Sequence, residues 1–164
     1  MINFQKISKP LIVAEIGNNH EGSIKNAINL IISAKKSGAD AVKFQIFDPL
    51  KYSSPKDTKR IIQLKKFAFK KKEINSIKKK CEELDIIFFA TPFDLESAKL
   101  LNNKQSFFKI SSGDNNYFDL IKKIRSFKKP VMISTGLLDY NGIVKVVNYF
   151  RFLALTLNVR ILSI

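Results

Sequence analysis

Short β-branched runs alternate with longer amphipathic stretches along nearly the whole chain, and this alternation restricts the fold more than any other feature. LIVAE (11–15), AVKFQIF (41–47), DIIFFATPF (85–93), SFFKIS (106–111) and PVMIST (130–135) read as strands. After the first of them, SIKNAINLIISAKK places Ile24, Ala27, Ile28, Ile31 and Ile32 on one helical face, and Gly38 stands where such a helix stops. Helices are also expected over 73–84, over 94–101 with Asp94 as its cap, over 117–127 and over 141–152. The segment 48–59, with Pro49 and Pro55, reads as a loop, and a last apolar run, NVRILSI, follows the final helix. About five and a half β–α units in succession imply a parallel sheet covered by helices, either doubly wound or a barrel. The first strand-to-helix turn, EIGNNHEGS, lacks the Gly-x-Gly-x-x-Gly spacing of a doubly wound nucleotide fold.

The polar residues of these strands gather at one topological place. Glu15 closes the first strand and Lys43 and Gln45 lie near the end of the second. Thr91 ends the third, Lys109, Ser111 and Ser112 end the fourth with Asp114 just beyond, and Ser134 and Thr135 end the fifth. Side-chain parity puts Leu11, Val13 and Glu15 on one face, as it does Ala41, Lys43 and Gln45, and Phe107, Lys109 and Ser111. In a β/α barrel the C-terminal strand ends converge on the active site. A lysine flanked by Phe and Ile within a strand is costly to bury unless it is paired or used. Two inward lysines beside hydroxyls would receive a small, multiply charged anion such as a phosphate. Ser134 and Thr135, taken alone, are equally well explained as turn formers. His20 reads as a turn or loop-packing residue rather than a ligand, and the phenylalanines as core.

Composition narrows the partners. Lys and Arg number 29 against 14 Asp and Glu, a net charge of +15. This balance fits nucleic acid, a membrane surface or an anionic small molecule. The runs Lys70–Lys72 and Lys78–Lys80 lie on one helical region without interleaved aromatics or arginine, so they read as a solvated face rather than a nucleic-acid platform. One cysteine and one histidine exclude an internal disulfide and argue against a Cys/His zinc site. Cys81 reads as half-buried on a helix. No segment has the apolar length of a membrane span or a signal peptide, which makes the cytoplasm the expected location.

The motifs LIVAEIGNNHEGS, GADAVKFQ, ATPFD, FKISSGD and PVMISTG, in this order and at roughly this spacing, resemble those of the sialic acid (N-acetylneuraminate) synthases and of their relatives that make legionaminic and pseudaminic acids. The resemblance runs from Leu11 to near Phe150. It implies a parallel β/α barrel of the TIM type, incomplete here at five to six of eight units. It further implies condensation of phosphoenolpyruvate with an open-chain N-acetylated amino sugar and release of phosphate. A divalent metal, Mn2+ or Mg2+, would polarise the aldehyde. By motif position Lys43, Thr91, Lys109, Ser112 and Ser134 resemble the phosphoenolpyruvate receptor. Glu15 and Gln45 resemble the residues facing the sugar, with Glu15 handling protons. Asp114 stands where the family often carries an acidic residue near the reacting centre. Another phosphoenolpyruvate-condensing sugar-acid synthase, or a basic anion- or nucleic-acid-binding fragment, is the alternative.

Departures from that pattern set further expectations. Ile46 stands where a threonine is common, on the outward side of its strand. The family's later motifs, an Asn-bearing loop and two metal-ligand histidines, have no counterpart, and the tail RFLALTLNVRILSI differs from the expected sixth strand. Residues 1–164 are therefore expected to form a partial barrel without the capping domain and without the metal ligands. Such a chain would not condense its substrates by itself, and the full-length family is expected to be homodimeric.

Overall fold

The computed structural model describes residues 10–151 and 159–162. Six strands run parallel: β1 (Val13–Gly17), β2 (Ala41–Ile46), β3 (Ile87–Pro92), β4 (Phe108–Ile110), β5 (Val131–Ser134) and β6 (Val159–Leu162). Their spatial order follows their sequence order, β1-β2-β3 and then β4-β5-β6, with β3 beside β4. A doubly wound sheet reverses direction part-way. Strictly sequential parallel order is the winding of a β/α barrel, and six such strands lie among the described residues.

Seven helices connect and flank the strands: α1 (Ile24–Lys36), α2 (Pro49–Tyr52), α3 (Thr58–Phe67), α4 (Lys71–Glu83), α5 (Leu95–Asn102), α6 (Phe118–Ser126) and α7 (Tyr140–Arg151). Each long helix buries one stripe. Ala27, Ile31 and Ala34 of α1, Ile74, Ile77 and Cys81 of α4, and Leu120, Ile121 and Ile124 of α6 are buried. They pack on the outward residues of the strands, among them Ile16, Val42, Phe44, Ile46, Phe108 and Ile133. The expected outward position of Ile46 is thus what the structure has. On α1, Ile28 and Ile32 are only half-buried, and Ala34 completes the buried stripe instead. Cys81 is fully buried rather than half-buried, and burial pushes its thiol up to about 12. The Lys70–Lys72 and Lys78–Lys80 runs lie along α4, where Lys78 and Lys80 pair with Glu82 and Glu83.

Segment 48–59 is not the plain loop that its prolines suggest. Asp48 caps α2, with Pro49 in its first turn, and Asp57 caps α3 by accepting from the Arg60 amide at 2.9 Å. Ile61 and Leu64 of α3 are then buried, and Leu64 packs with Phe47 and Phe93. The expected cap at Asp94 is present and does more than cap. Its carboxylate accepts from the Ser97 amide and hydroxyl and from the Asp48 amide, tying the ends of β2 and β3 together. Between β3 and β4 the strand ladder is interrupted. There the buried Gln105 side chain accepts from the Ala90 amide at 2.7 Å and donates to the Ala90 carbonyl at 3.2 Å, replacing one ladder step. The tail discussed above falls partly on residues 152–158 and 163–164, outside the described residues. Within it, 159–162 pairs with β5 as a sixth strand. Among the described residues no helix is long and apolar enough to cross a membrane.

His20 is a packing residue, as its turn position suggests. It is buried and stacks on Phe69 at 4.1 Å between ring centroids, and its Nδ1 accepts from the Gly22 amide at 3.0 Å. Nδ1 therefore carries no proton, and burial lowers the imidazole from 6.5 to about 4. The unfolded chain binds this proton more tightly between those values, so stability present above pH 6.5 is lost as pH falls towards 4. The loss is on the order of 3 kcal/mol. Urea midpoints measured at pH 7 and pH 4.5 check this. The drop should shrink in His20→Leu, and an equal drop in both proteins would assign it to other groups.

Candidate active site

The strands have two chemically different faces. Outward residues meet the helices. Inward residues form an apolar floor at the N-terminal half of the strands: Val13, Ala41, Ile87, Phe89, Phe107 and Met132. The Phe89 and Phe107 rings pack against each other, tilted by 41°, with centroids 4.5 Å apart. Two residues further along each strand, the same face becomes polar. Glu15 follows Val13, Lys43 and Gln45 follow Ala41, Thr91 follows Phe89, Lys109 follows Phe107, and Ser134 follows Met132.

These polar side chains form connected pairs. Lys43 Nζ lies 2.5 Å from a Glu15 carboxylate oxygen; the lysine is 16% exposed and the glutamate 52%. The two residues are register partners across β1 and β2. A bulge follows Glu15, and Gly17 beyond it has φ +54°, where an added Cβ would sit 3.3 Å from the Glu15 carboxylate. The glycine thus leaves room for the carboxylate to turn along the rim. Gln45 accepts from the Asn18 side-chain amide at 2.8 Å. Its register partner Thr91 is buried, and the Thr91 hydroxyl has no hydrogen-bond partner among the described residues.

Lys109 is the most constrained of the group. It is 9% exposed, and its ammonium donates to the Ile110 carbonyl and to the Ser134 hydroxyl oxygen, both at 2.6 Å. Burial first and the Lys43 ammonium second lower it from 10.5 to about 8, against the opposing pull of Glu15 and Asp114. Lys43, Glu15, Asp114 and Lys109 therefore share one electrostatic site. Asp114 lies in the 3-10 turn Ser112–Asp114 and accepts from the Ser111 hydroxyl. Burial raises its carboxyl, against the opposing pull of Ser111 and Lys109. Ser112 opens the same turn, half-buried at the rim.

All eight candidate residues thus fall on strands or the turn at one end of the sheet. Two asparagines were not among them. Asn18 reaches Gln45, and the buried Asn115 donates to the carbonyls of Ser134 and Gly136 at 3.3 and 2.8 Å. Both lie in turn sequences, GNN and DNN, whose asparagines ordinarily serve the turn itself. A groove of about 760 Å³ lies at the other end of the strands between Lys78, Asp85, Gln105 and Lys129, the end that in barrels carries stability rather than catalysis.

A divalent ion does not fit what is present. Among the described residues no three His, Cys, Asp or Glu side chains come together to hold a metal. His20 faces Phe69, and Glu15 is held by Lys43.

An inward rim of paired ammonium, carboxylate and hydroxyl groups over an apolar floor, at one end of sequentially wound parallel strands, defines the class: a protein of the β/α-barrel type. Within that class, residues 30–160 match the NeuB family, and the chain belongs to it. It is 36% identical over 156 residues to the N,N'-diacetyllegionaminic acid synthase of Campylobacter jejuni, covering 87% of this chain and 47% of that protein. It is 32% identical to the N-acetylneuraminate-9-phosphate synthase of Drosophila melanogaster, covering 92% of this chain and 44% of that one. Among solved structures, the sialic acid synthetase of Leptospira borgpetersenii superimposes with a TM-score of 0.91 at 27% identity, over 99% of this chain and 58% of that one. The chain thus spans less than half the length of these two curated relatives.

Proposed function

We propose that this chain carries the phosphoenolpyruvate-receiving part of a nonulosonic acid synthase. The reaction joins phosphoenolpyruvate to an N-acetylated amino sugar such as N-acetylmannosamine. The observation that supports it most is the placing of two ammonium groups, Lys43 and Lys109, with the Ser134 hydroxyl on one inward rim above Phe89 and Phe107. Phosphoenolpyruvate is compact and carries a carboxylate and a phosphate. Charge-assisted bonds from two lysines, with Thr91, Ser112 and Ser134 supplying hydroxyls, match both ends. The apolar floor holds the methylene carbon and excludes water from it.

In the reaction, carbon 3 of phosphoenolpyruvate bonds to the sugar aldehyde carbon, and the aldehyde oxygen takes a proton. Water adds at carbon 2, and the bond between carbon 2 and the phosphate oxygen breaks, releasing phosphate. Positive charge develops at carbon 2 and negative charge at the aldehyde oxygen. Fixed counter-charges stabilise both. Glu15, with Gln45, faces the sugar and moves the proton; Asp114 serves the developing charge at carbon 2.

Calorimetric titration tests the receptor. Phosphoenolpyruvate is expected to bind at least about tenfold more tightly than inorganic phosphate or pyruvate alone, because it engages both lysines. An affinity no better than that of phosphate rules the reading out.

A further inference from the structure

Asn115 joins the two halves of the rim that meet at Lys109. The β4–β5 ladder ends at the pair Ile110 and Ile133. Beyond it the two chain ends enter separate turns, 112–114 after β4 and the turn closed by the Leu138 amide on the Thr135 carbonyl after β5. The Asn115 side chain spans this gap. It is 2% exposed and gives its amide hydrogens to the Ser134 and Gly136 carbonyls. A buried amide that bridges two loops holds both in one arrangement, since either carbonyl left without a donor is penalised. One of those carbonyls belongs to the residue whose hydroxyl accepts from Lys109 at 2.6 Å.

We propose that Asn115 is a positioning residue for the anion site: its side-chain amide holds Ser134, and through Ser134 the Lys109 ammonium, in place on the rim. The functional significance rests on the phosphoenolpyruvate reading, but the mechanical claim does not, and the two fail separately. Without the clip, the β5 end moves, Lys109 loses its hydroxyl partner and its ammonium reaches solvent. Asn115→Ala removes the donor. Asn115→Asp keeps the shape and sets a carboxylate against two carbonyls, so it acts in the same direction.

The test is the rate at which acetic anhydride acylates Lys109 in the folded chain, mapped by peptide mass spectrometry well below the melting temperature. Maleimide labelling of Cys81, buried on α4, serves as an internal gauge of general loosening. In both variants Lys109 should react about fivefold faster, the factor that loss of one ordinary hydrogen bond supplies, with Cys81 labelling unchanged. Asn116→Ala, an exposed neighbour in the same turn, should leave Lys109 at the wild-type rate. A Lys109 rate unchanged in both Asn115 variants overturns the proposal, as does a rise matched by Cys81, which would make Asn115 a merely structural residue. Adding phosphoenolpyruvate to the wild type separates the two ideas. Absence of protection at Lys109 counts against the anion reading alone and leaves the comparison of variants intact.

Discussion

Lys109→Met is expected to weaken phosphoenolpyruvate capture by roughly a hundredfold while leaving the fold at least as stable as the wild type. The two effects have one origin. The ammonium is 9% exposed and sits near a second ammonium, Lys43, so the folded protein holds its proton only up to about pH 8 instead of 10.5. Keeping that charge buried at neutral pH costs the fold on the order of 2–3 kcal/mol. Methionine fills similar space without charge. The bonds lost to Ser134 and to the Ile110 carbonyl offset part of the gain. The unfolded chain binds the lysine proton more tightly between pH 8 and 10.5, so wild-type stability rises with pH through that window and the variant's does not. Anion affinity runs the opposite way. It needs the ammonium and declines as pH rises past about 8 in the wild type. Calorimetric affinities from pH 6.5 to 9.5, paired with melting temperatures, check both. A variant that binds phosphoenolpyruvate as the wild type does would remove Lys109 from the receptor.

Gly22→Ala should destabilise the protein by about 3–5 kcal/mol, a large share of the stability a domain this size has. Gly22 has φ +78°, and a Cβ there would lie 1.7 Å from the Lys66 carbonyl oxygen, with the Lys66 carbonyl carbon at 2.9 Å. The obstacle is backbone at the end of α3, so no side-chain rotation relieves it. The Gly22 amide also donates to His20 Nδ1, and displacing it breaks the stack of His20 on Phe69. The turn so disturbed carries Asn18 and follows Glu15, which links this contact to the geometry of the rim. Urea unfolding followed by circular dichroism measures the loss. A midpoint within error of the wild type would mean that α3 does not press on the β1–α1 turn.

The parts of this architecture that repeat are visible in the residues themselves. Short, nearly continuous apolar runs alternating with stretches of period 3.6 define the parallel winding, because each strand buries both faces and each helix only one. Parity along the strands separates outward Val42, Phe44 and Ile46 from inward Lys43 and Gln45, and the structure keeps that division. The helix α3 was hidden by two prolines and by the turn-forming string around Ser53–Asp57. Only the spacing of Ile61 and Leu64 hinted at it; both are buried, and Leu64 packs with Phe47 and Phe93, a contact no local pattern announces. Asn18, Gln105 and Asn115 were hidden for a related reason. An amide in a loop looks the same in sequence whether it faces water or bridges two strands.

The sequence by itself determined the order of elements, the inward and outward faces and the chemical types at the strand ends, since these follow from side-chain periodicity along a single segment. Only the tertiary structure decided the pairing of Glu15 with Lys43, the contact of Lys109 with Ser134, and the clips made by Gln105 and Asn115. Those contacts join residues far apart in the chain, and their distances depend on how much each strand twists and where each ladder stops, quantities that packing of the whole sheet sets.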